Sequence, residues 1–237
     1  MRAVALVRRA ADLPIVRAAA ALGETIALTA TADDEATRAL MTAAKAAGAA
    51  RLVRIWDPSL DAADYLGVAY VLAAAVRAAI GDLSATPTVI LAGDRGRNCV
   101  GPAVAERLGV PLLGQALALA EHEAEPKTRL RVQRRSRSLV RTLACAPPAL
   151  ICLLVDDTTP PALHEGAHAE VESWTLSKVG MSAAELAYRR RFAPAAAPGL
   201  HPPSPPLRLP DAAALVARLR AEGLVPPKSR PPRDGER

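Results

Sequence analysis

The sequence has little of what most enzyme active sites are built from. Its 237 residues include three cysteines and four histidines, and aromatic residues make up only 3% of the chain. The zinc-protease pattern HExxH, the CxxC pair, the GxSxG nucleophile turn and the Walker lysine loop are all absent from the sequence. Because no other residues form a convincing acid–base pair, we predict neither a catalytic residue nor a metal ligand.

Three isolated features could carry chemistry, and each has a simpler explanation. His164 and His168 are four residues apart, but they lie in a Gly/Pro/Ala-rich segment without a nearby cysteine, which disfavours a zinc site. Asp156 and Asp157 follow a predicted buried strand, where they either bind a ligand or form a solvated turn. Cys99 has no histidine close in sequence to activate it, and this is more typical of an inert thiol than of a nucleophile.

Long apolar runs and a secretion signal are also lacking. No window of 18 apolar residues is free of charge, which argues against a membrane span. Arg2, Arg8 and Arg9 interrupt the N-terminal apolar run, unlike the pattern of a signal peptide. An odd number of cysteines at no metal-like spacing favours free thiols in a reducing compartment. We therefore expect a cytoplasmic protein.

The chain is basic, with a net charge of +6 and a pI near 9.7. Part of this charge comes from an arginine cluster between Arg129 and Arg141. No aromatic residue lies between Tyr70 and Trp174 to stack on bases, so nucleic-acid binding is not predicted. The cluster is interpreted either as a surface for an acidic protein partner or as a solvated face.

The spacing of apolar residues, which make up 51% of the chain, alternates between strand and helix periods. Strands are predicted at residues 2–7, 25–30, 51–56 and 88–92, and helices at residues 14–22, 36–47, 61–80 and 100–108. This alternation favours the α/β class, with an open, mainly parallel, Rossmann-like sheet and helices on both of its faces.

After Pro111 the pattern changes to short strand-like runs at residues 115–120, 128–133 and 138–143, followed by an apolar run at residues 149–155. We interpret them as an antiparallel meander that leads a last strand back into the main sheet. Residues 1–155 would then form a nucleotide-binding-like α/β domain. Residues 156–237 are predicted to be a C-terminal arm with an extended stretch, a short capped helix, a proline-rich linker and a terminal amphipathic helix at residues 211–222.

The segment from Thr88 to Pro111 is the first place where a ligand is expected. It is predicted to be a buried strand, a polar loop containing Gly93 and Gly96, and a helix that ends at Gly109. Glycines let a backbone approach a ligand closely, and ligands of open α/β sheets bind outside the carboxyl ends of the strands. The alternative is a plain strand–helix connection without a ligand.

Four local sequences occur in consistent order along most of the chain. The first strand is followed by two arginines and then Asp12, and a second strand–helix–strand unit covers residues 24–54. Val-Gly-Pro begins the helix at residue 100 and Gly-Val-Pro, at residues 109–111, follows its end, while residues 171–186 and 211–223 resemble the arm and last helix. Together these sequences resemble the β subunit of electron-transfer flavoproteins.

The resemblance implies an electron carrier without bond-making catalysis of its own. In that family an α-type and a β-type chain share one FAD, held mostly by the α-type chain, while the β-type chain binds AMP and electrons arrive from a dehydrogenase. The cofactor-binding residues that the resemblance implies here are Leu6, Asp12, Leu13, Ala30, Gly93, Asp94, Asn98, Cys99, Val100 and Gly101. Among them, Leu13 occupies the position that would approach the flavin ring.

Two departures from the family leave alternatives open. The loop at residues 94–99 is several residues shorter and has Arg95 and Arg97 in place of acidic residues, so AMP binding is possible rather than implied. These arginines either hold a phosphate or fill the pocket. Residues 156–169, where the family has a basic loop that docks dehydrogenases, are acidic and proline-rich, with Leu163 as a candidate anchor. The alternative functions are a stand-alone adenine-nucleotide-binding domain and a scaffold subunit that has lost its nucleotide.

Overall fold

Alternating strands and helices build the first half of the chain, as predicted. The computed structural model describes residues 1–61, 63–94, 100–122, 129–155, 169–188 and 212–221. The strands in these ranges are β1 (Arg2–Leu6), β2 (Glu24–Ala30), β3 (Arg51–Ile55), β4 (Thr88–Asp94), β5 (Leu112–His122), β6 (Arg129–Ser136), β7 (Leu139–Cys145), β8 (Ala149–Leu154) and β9 (Glu172–Trp174). The α-helices are α1 (Leu13–Ala20), α2 (Glu35–Ala46), α3 (Tyr65–Ile80), α4 (Val100–Leu108), α5 (Ala183–Tyr188) and α6 (Ala212–Ala221).

The strands join into one open sheet in the order β7-β6-β5-β8-β4-β1-β2-β3-β9. All pairs from β5–β8 across to β3–β9 are parallel, whereas β6 pairs antiparallel with both β5 and β7. Strand β8 lies between β4 and β5, so the chain does return from the meander into the main sheet. The predicted α/β class, with its mainly parallel sheet and antiparallel meander, is confirmed.

Two apolar layers cover the two faces of the sheet, because successive side chains of a strand point to opposite sides. On one face, Val4 and Ile90 belong to the same buried cluster as residues of α3 and α4. On the other, Ala5 and Leu91 pack with α1 and α2. Alanine, valine and leucine supply most of both layers, so the low aromatic content does not prevent a continuous core.

Several predicted boundaries differ from those of the structure; strand β5, for example, begins at Leu112 and not at Gln115. Helix α3 begins at Tyr65 and not at Asp61, because the Asp64 carboxylate accepts a 2.8 Å hydrogen bond from the Gly67 backbone N–H and thereby caps the helix. Strand β4 continues to Asp94, so Gly93 is the penultimate residue of a strand rather than part of the loop. The loop available to a ligand after β4 is correspondingly shorter than the sequence pattern indicates.

The C-terminal arm contributes to the sheet. Strand β9 pairs in parallel with β3, and the Arg51 guanidinium makes two hydrogen bonds of 2.8 and 3.0 Å to the Glu172 carboxylate across that pair. Contacts divide the chain into two compact units, residues 1–193 and residues 194–237. The predicted division between residues 1–155 and 156–237 stays a prediction. Within the second unit, α6 exposes 47% of Leu215 and 38% of Val216.

Candidate functional site

The carboxyl ends of β1, β2 and β4 meet at one edge of the sheet. In the register of the parallel pairs, Leu6 of β1 lies opposite Leu28 of β2, two residues before Ala30, and Ala5 lies opposite Leu91, two residues before Gly93. The structure therefore brings Leu6, Ala30 and Gly93 close together, as the predicted site requires. An edge of this kind, next to the strand where the chain order reverses, is where ligands of open α/β sheets bind.

Asp12 lies at this edge and holds the segment that follows β1. Its carboxylate is 4% exposed and accepts hydrogen bonds of 2.8 and 3.1 Å from the backbone N–H groups of Arg8 and Arg9. A Cβ atom on Gly93 would lie 2.9 Å from Asp12 Oδ1. Gly93 is thus required for the close approach of Asp12, and Asp12 acts on the loop backbone rather than presenting a free carboxylate to a ligand.

Asp94, the last residue of β4, is hydrogen-bonded to the irregular strand β5, which β8 separates from β4 in the sheet. Its Oδ2 accepts a 2.9 Å hydrogen bond from the backbone N–H of Gln115, whose φ of 58° lies at the bulge in β5. Burial, followed by the charge of Asp94, raises the pKa of the nearby Cys152 thiol to about 12.

The raised pKa predicts an unreactive cysteine. At about pH 8, roughly one in ten thousand Cys152 side chains would be thiolate, the form that attacks alkylating reagents. We expect iodoacetamide to modify Cys152 only when the protein unfolds, and to modify the less buried Cys145 sooner. Mass spectrometry of peptides after timed labelling checks this, and labelling of Cys152 at its denatured rate would contradict it.

Gly101 and Val100 serve packing at the start of α4. A Cβ on Gly101 would lie 2.8 Å from Cys152 Sγ and 3.1 Å from Ala92 Cβ, so this turn of the helix lies against the sheet. Val100 is 3% exposed and belongs to the same apolar layer. The side-chain positions of both residues therefore face the core, and a role in binding is left to their backbone atoms.

Leu13 does not offer the surface predicted for it. Its side chain is 2% exposed and packs with Ile15 and Val16 in the layer beneath α1. Such burial leaves almost no area for a flavin ring, so Leu13 is not among the contacts proposed below. Asn98 and Cys99 lie outside the described residues, as do Arg95, Arg97, Asp156, Asp157, Leu163, His164 and His168.

A cleft of about 540 Å³ opens at the carboxyl ends of β1, β2 and β3. Arg8 and Arg9 border it after β1, residues 30–32 border it after β2, and Trp56 and Asp61 border it after β3. Its volume lies in the range of roughly 300–1,000 Å³ that is usual for small-molecule sites. The cleft combines two guanidinium groups, one indole ring and apolar walls, a set suited to a ligand with an anionic and an aromatic part.

The two arginines of the cleft repel each other. Although Arg8 as a whole residue is exposed, partial desolvation of its charge is the main cause that lowers its pKa. Repulsion from Arg9 lowers this pKa further, and Asp12 opposes both effects. Because Asp12 binds their backbone N–H groups, the loop keeps the two side chains adjacent in spite of the repulsion. An anion placed between them would relieve that repulsion, which is a favourable electrostatic contribution to its binding.

The N-terminus of α2, at the floor of the cleft, already has an anionic cap. Asp34 Oδ1 accepts a 2.7 Å hydrogen bond from the backbone N–H of Thr37. This bond is the main cause of the lowered pKa of Asp34, and side-chain bonding to Thr37 lowers it further. The helix dipole is therefore satisfied by the protein, and a ligand anion is expected nearer Arg8 and Arg9.

The capped helix predicts a specific pH dependence. Because the pKa of Asp34 is lowered, the folded state binds the proton of this carboxyl less tightly than the unfolded state does. The ionised carboxylate therefore stabilises the fold above the unfolded-state pKa of about 3.9, and this stabilisation is lost as the pH falls through the folded-state pKa. Asp34→Asn keeps a capping side chain and should lower the free energy of unfolding at pH 7 by only roughly a few tenths of a kcal/mol, whereas Asp34→Ala should lower it by about 1 kcal/mol. In urea unfolding at a series of pH values, the free energy of unfolding should fall less steeply in acid for Asp34→Asn than for the wild-type protein. Identical pH dependence would contradict the role of the Asp34 carboxylate as the cap of α2.

Sequence reasoning missed Arg8, Arg9 and Trp56 as site residues. All three lie within three residues of the carboxyl end of β1 or β3, so the rule that ligands bind at the carboxyl ends of strands could have found them.

The comparison with known families agrees with this architecture. The model of the electron transfer flavoprotein domain matches residues 5–179, well over half of the chain. The chain therefore belongs to the electron transfer flavoprotein family, and the predicted membership is confirmed. The match does not distinguish an α-type from a β-type chain. No curated protein sequence matches the chain. In the described part of the chain, no helix is long and apolar enough to cross a membrane.

Proposed function

We propose that the chain is a β-type electron transfer flavoprotein subunit. It binds an adenylate in the cleft at residues 8–9, 30–32 and 56–61, pairs with an α-type subunit, and helps to enclose an FAD shared between the two. Electrons reach that FAD from a dehydrogenase. The observation that carries the proposal is the pair of arginines facing the same cleft as Trp56, at the sheet edge where this fold class binds nucleotides.

The lining of the cleft suggests how an adenylate would lie. The phosphate would accept hydrogen bonds from Arg8 and Arg9, because guanidinium forks match phosphate oxygens. The adenine ring would pack on Trp56, the indole at the cleft. Asp61 offers carboxylate oxygens that ribose hydroxyl groups can donate to. Backbone atoms of Leu6, Ala30, Gly93 and Asp94 would complete the edge around the ligand.

The FAD would supply the electron-transfer chemistry when bound, and this chain would shape its surroundings. Most flavin contacts would come from the α-type subunit, because Leu13, the residue expected to approach the ring, is buried in the core. Within this chain, Asp12 is then a positioning residue that orders the segment at residues 8–12.

The partner would bind the outer part of the meander, which we call the β6–β7 surface and define by residues 129–145. Strand β7 is a sheet edge, and it exposes 57% of Leu139 and 59% of Val140 among exposed arginines. Exposed apolar side chains on an edge strand mark an interaction surface. Arginines 129, 131, 135, 137 and 141 around them favour a partner with acidic groups there.

Leu139→Glu should weaken the heterodimer by at least about tenfold in Kd, because it removes apolar contact and places a carboxylate opposite acidic groups. Tyr65, which is 44% exposed on α3, provides the control variant Tyr65→Glu. Sedimentation of the co-expressed pair measures both. If the Leu139→Glu chain binds the α-type subunit as tightly as the wild-type chain does, the β6–β7 surface is not the interface.

Co-expression with a candidate α-type subunit tests the function as a whole. The proposed subunit should purify as a yellow heterodimer whose bound nucleotides, released by acid, are FAD and an adenylate. A colourless monomer that binds AMP would instead establish the stand-alone nucleotide-binding alternative. A colourless complex without nucleotide would establish the scaffold alternative.

A further inference from the structure

Strand β5 changes its partners at Ala116. Before it, residues 112–113 pair in parallel with β8, and after it, residues 118–122 pair antiparallel with β6. Ala116 itself pairs with both neighbours, opposite Leu153 of β8 and Arg134 of β6, and it is fully buried. The antiparallel meander is therefore joined to the parallel sheet at this residue.

A bulge lies on each side of Ala116. From Leu113 to Ala116, β5 advances by three residues while β8 advances by two. From Ala116 to Ala118, β5 advances by two residues while β6 advances by one. Bulges bend a strand and interrupt its ladder of hydrogen bonds. We call residues 114–117 the β5 hinge, because these interruptions leave few ladder bonds to fix the angle between the meander and the parallel sheet.

One residue of the β5 hinge has a strained backbone. Gln115 has a φ of 58°, in the left-handed region that is unfavourable for residues with a Cβ atom. Such conformations persist where surrounding groups hold them. The backbone N–H of Gln115 donates its 2.9 Å hydrogen bond to Oδ2 of the half-buried Asp94. Because β8 separates β4 from β5, this carboxylate reaches past a whole strand to hold the hinge.

Arg137 provides a comparison within the same meander. It too has a positive φ, of 54°, but it lies in the two-residue turn between β6 and β7, where hairpins of this length require such a conformation. Gln115 adopts it at a bulge inside a strand, a place where glycine is usual. The bond from Asp94 therefore stabilises a conformation that the residue type disfavours.

We propose that Asp94 is a positioning residue that fixes the β5 hinge and thereby the direction in which the β6–β7 surface faces. Its carboxylate selects the left-handed conformation of Gln115. When the carboxylate is removed, Gln115 leaves that conformation and the β6–β7 hairpin changes its angle to the parallel sheet. The purpose of this arrangement rests on the proposed function, since a surface held in one direction loses less conformational entropy when the α-type subunit binds.

Hydrogen exchange of the full chain, followed by mass spectrometry, tests the hinge without a partner. Asp94→Ala removes the acceptor, so amides at residues 115–122 and 129–136 should exchange at least about tenfold faster, because the loss of one bond to a charged group lets this region open more often. Asp94→Asn keeps an acceptor oxygen and should restore most of the protection. Amides of β1, β2 and β3 should exchange as in the wild-type protein.

Asp82→Ala is the matched control. The Asp82 carboxylate also accepts a 2.8 Å hydrogen bond from a backbone N–H, that of Ser84, in an exposed turn outside the meander. Its loss should leave exchange at the β5 hinge unchanged. In the co-expressed pair, Asp94→Ala should weaken the heterodimer by at least about threefold in Kd, and Asp82→Ala should not.

Three results would overturn the proposal: equal hinge exchange in Asp94→Ala and Asp82→Ala, a rise in exchange throughout the sheet, or no recovery in Asp94→Asn. Each is a property of the chain alone, so each would leave the proposed subunit function standing. Conversely, a Leu139→Glu chain that assembles normally would count against the β6–β7 surface as the interface, whereas the exchange results would still decide whether Asp94 fixes the hinge.

Discussion

Replacing Gly101 with valine should destabilise the protein by about 3 kcal/mol, the upper part of the range for overpacked cores. The first added atom alone would lie 2.8 Å from Cys152 Sγ and 3.1 Å from Ala92 Cβ, and both belong to the sheet beneath α4. Urea unfolding monitored by circular dichroism measures the loss. Gly114→Ala is the control, because the nearest described atom to its Cβ would be Asp94 Oδ2, at an ordinary contact distance of 3.6 Å.

A double-mutant cycle identifies the contact responsible. Gly101→Ala should also destabilise the fold, although alanine favours a helix by roughly 0.5–1 kcal/mol over glycine. Removing the sulfur with Cys152→Ala should recover part of that loss, with an interaction energy of at least about 0.5 kcal/mol. Additive effects of the two substitutions would show that α4 does not approach the sheet as closely as the structure indicates.

The second large effect concerns ligand affinity rather than stability. The double variant Arg8→Gln/Arg9→Gln should bind AMP about a hundredfold more weakly than the wild-type chain, because charge-assisted hydrogen bonds are typically worth about 1.5–3 kcal/mol each. Its Tm should change little. The Arg8 and Arg9 side chains are exposed, and the bonds from their backbone N–H groups to Asp12 do not depend on side-chain identity.

A charge-matched control separates specific binding from the general field of a basic protein. Arg17→Gln/Arg38→Gln also removes two positive charges, but from exposed positions that do not line the cleft. Isothermal titration at fixed ionic strength should give a wild-type Kd for AMP with this control. An equal loss of affinity in both double variants would mean that Arg8 and Arg9 act only through net charge.

The sequence predicted the layers of the fold because the apolar spacing repeats in every element. The strand period alone assigns Val4 and Ile90 to one face of the sheet and the alternate residues Ala5 and Leu91 to the other. Boundaries were predicted less well, since they depend on one hydrogen bond. Both Asp61 and Asp64 could begin α3, and the bond to the Gly67 N–H selects Asp64.

The candidate site was predicted at its edge but not in its details. The carboxyl ends of β1, β2 and β4 follow from the order of elements. The inward position of Gly101 depends on how closely α4 lies on Cys152, which no local pattern records. Likewise, nothing in the sequence distinguishes Arg54, which is buried, from the more exposed Arg51 three residues earlier.

Native mass spectrometry of the chain co-expressed with an α-type subunit tests the central proposal most directly. The account predicts a single complex whose mass equals both chains plus one FAD and one adenylate, with the adenylate lost in the Arg8→Gln/Arg9→Gln variant and the FAD retained. A bare chain without partner or nucleotide would contradict it, as would a complex whose adenylate is unaffected by that variant.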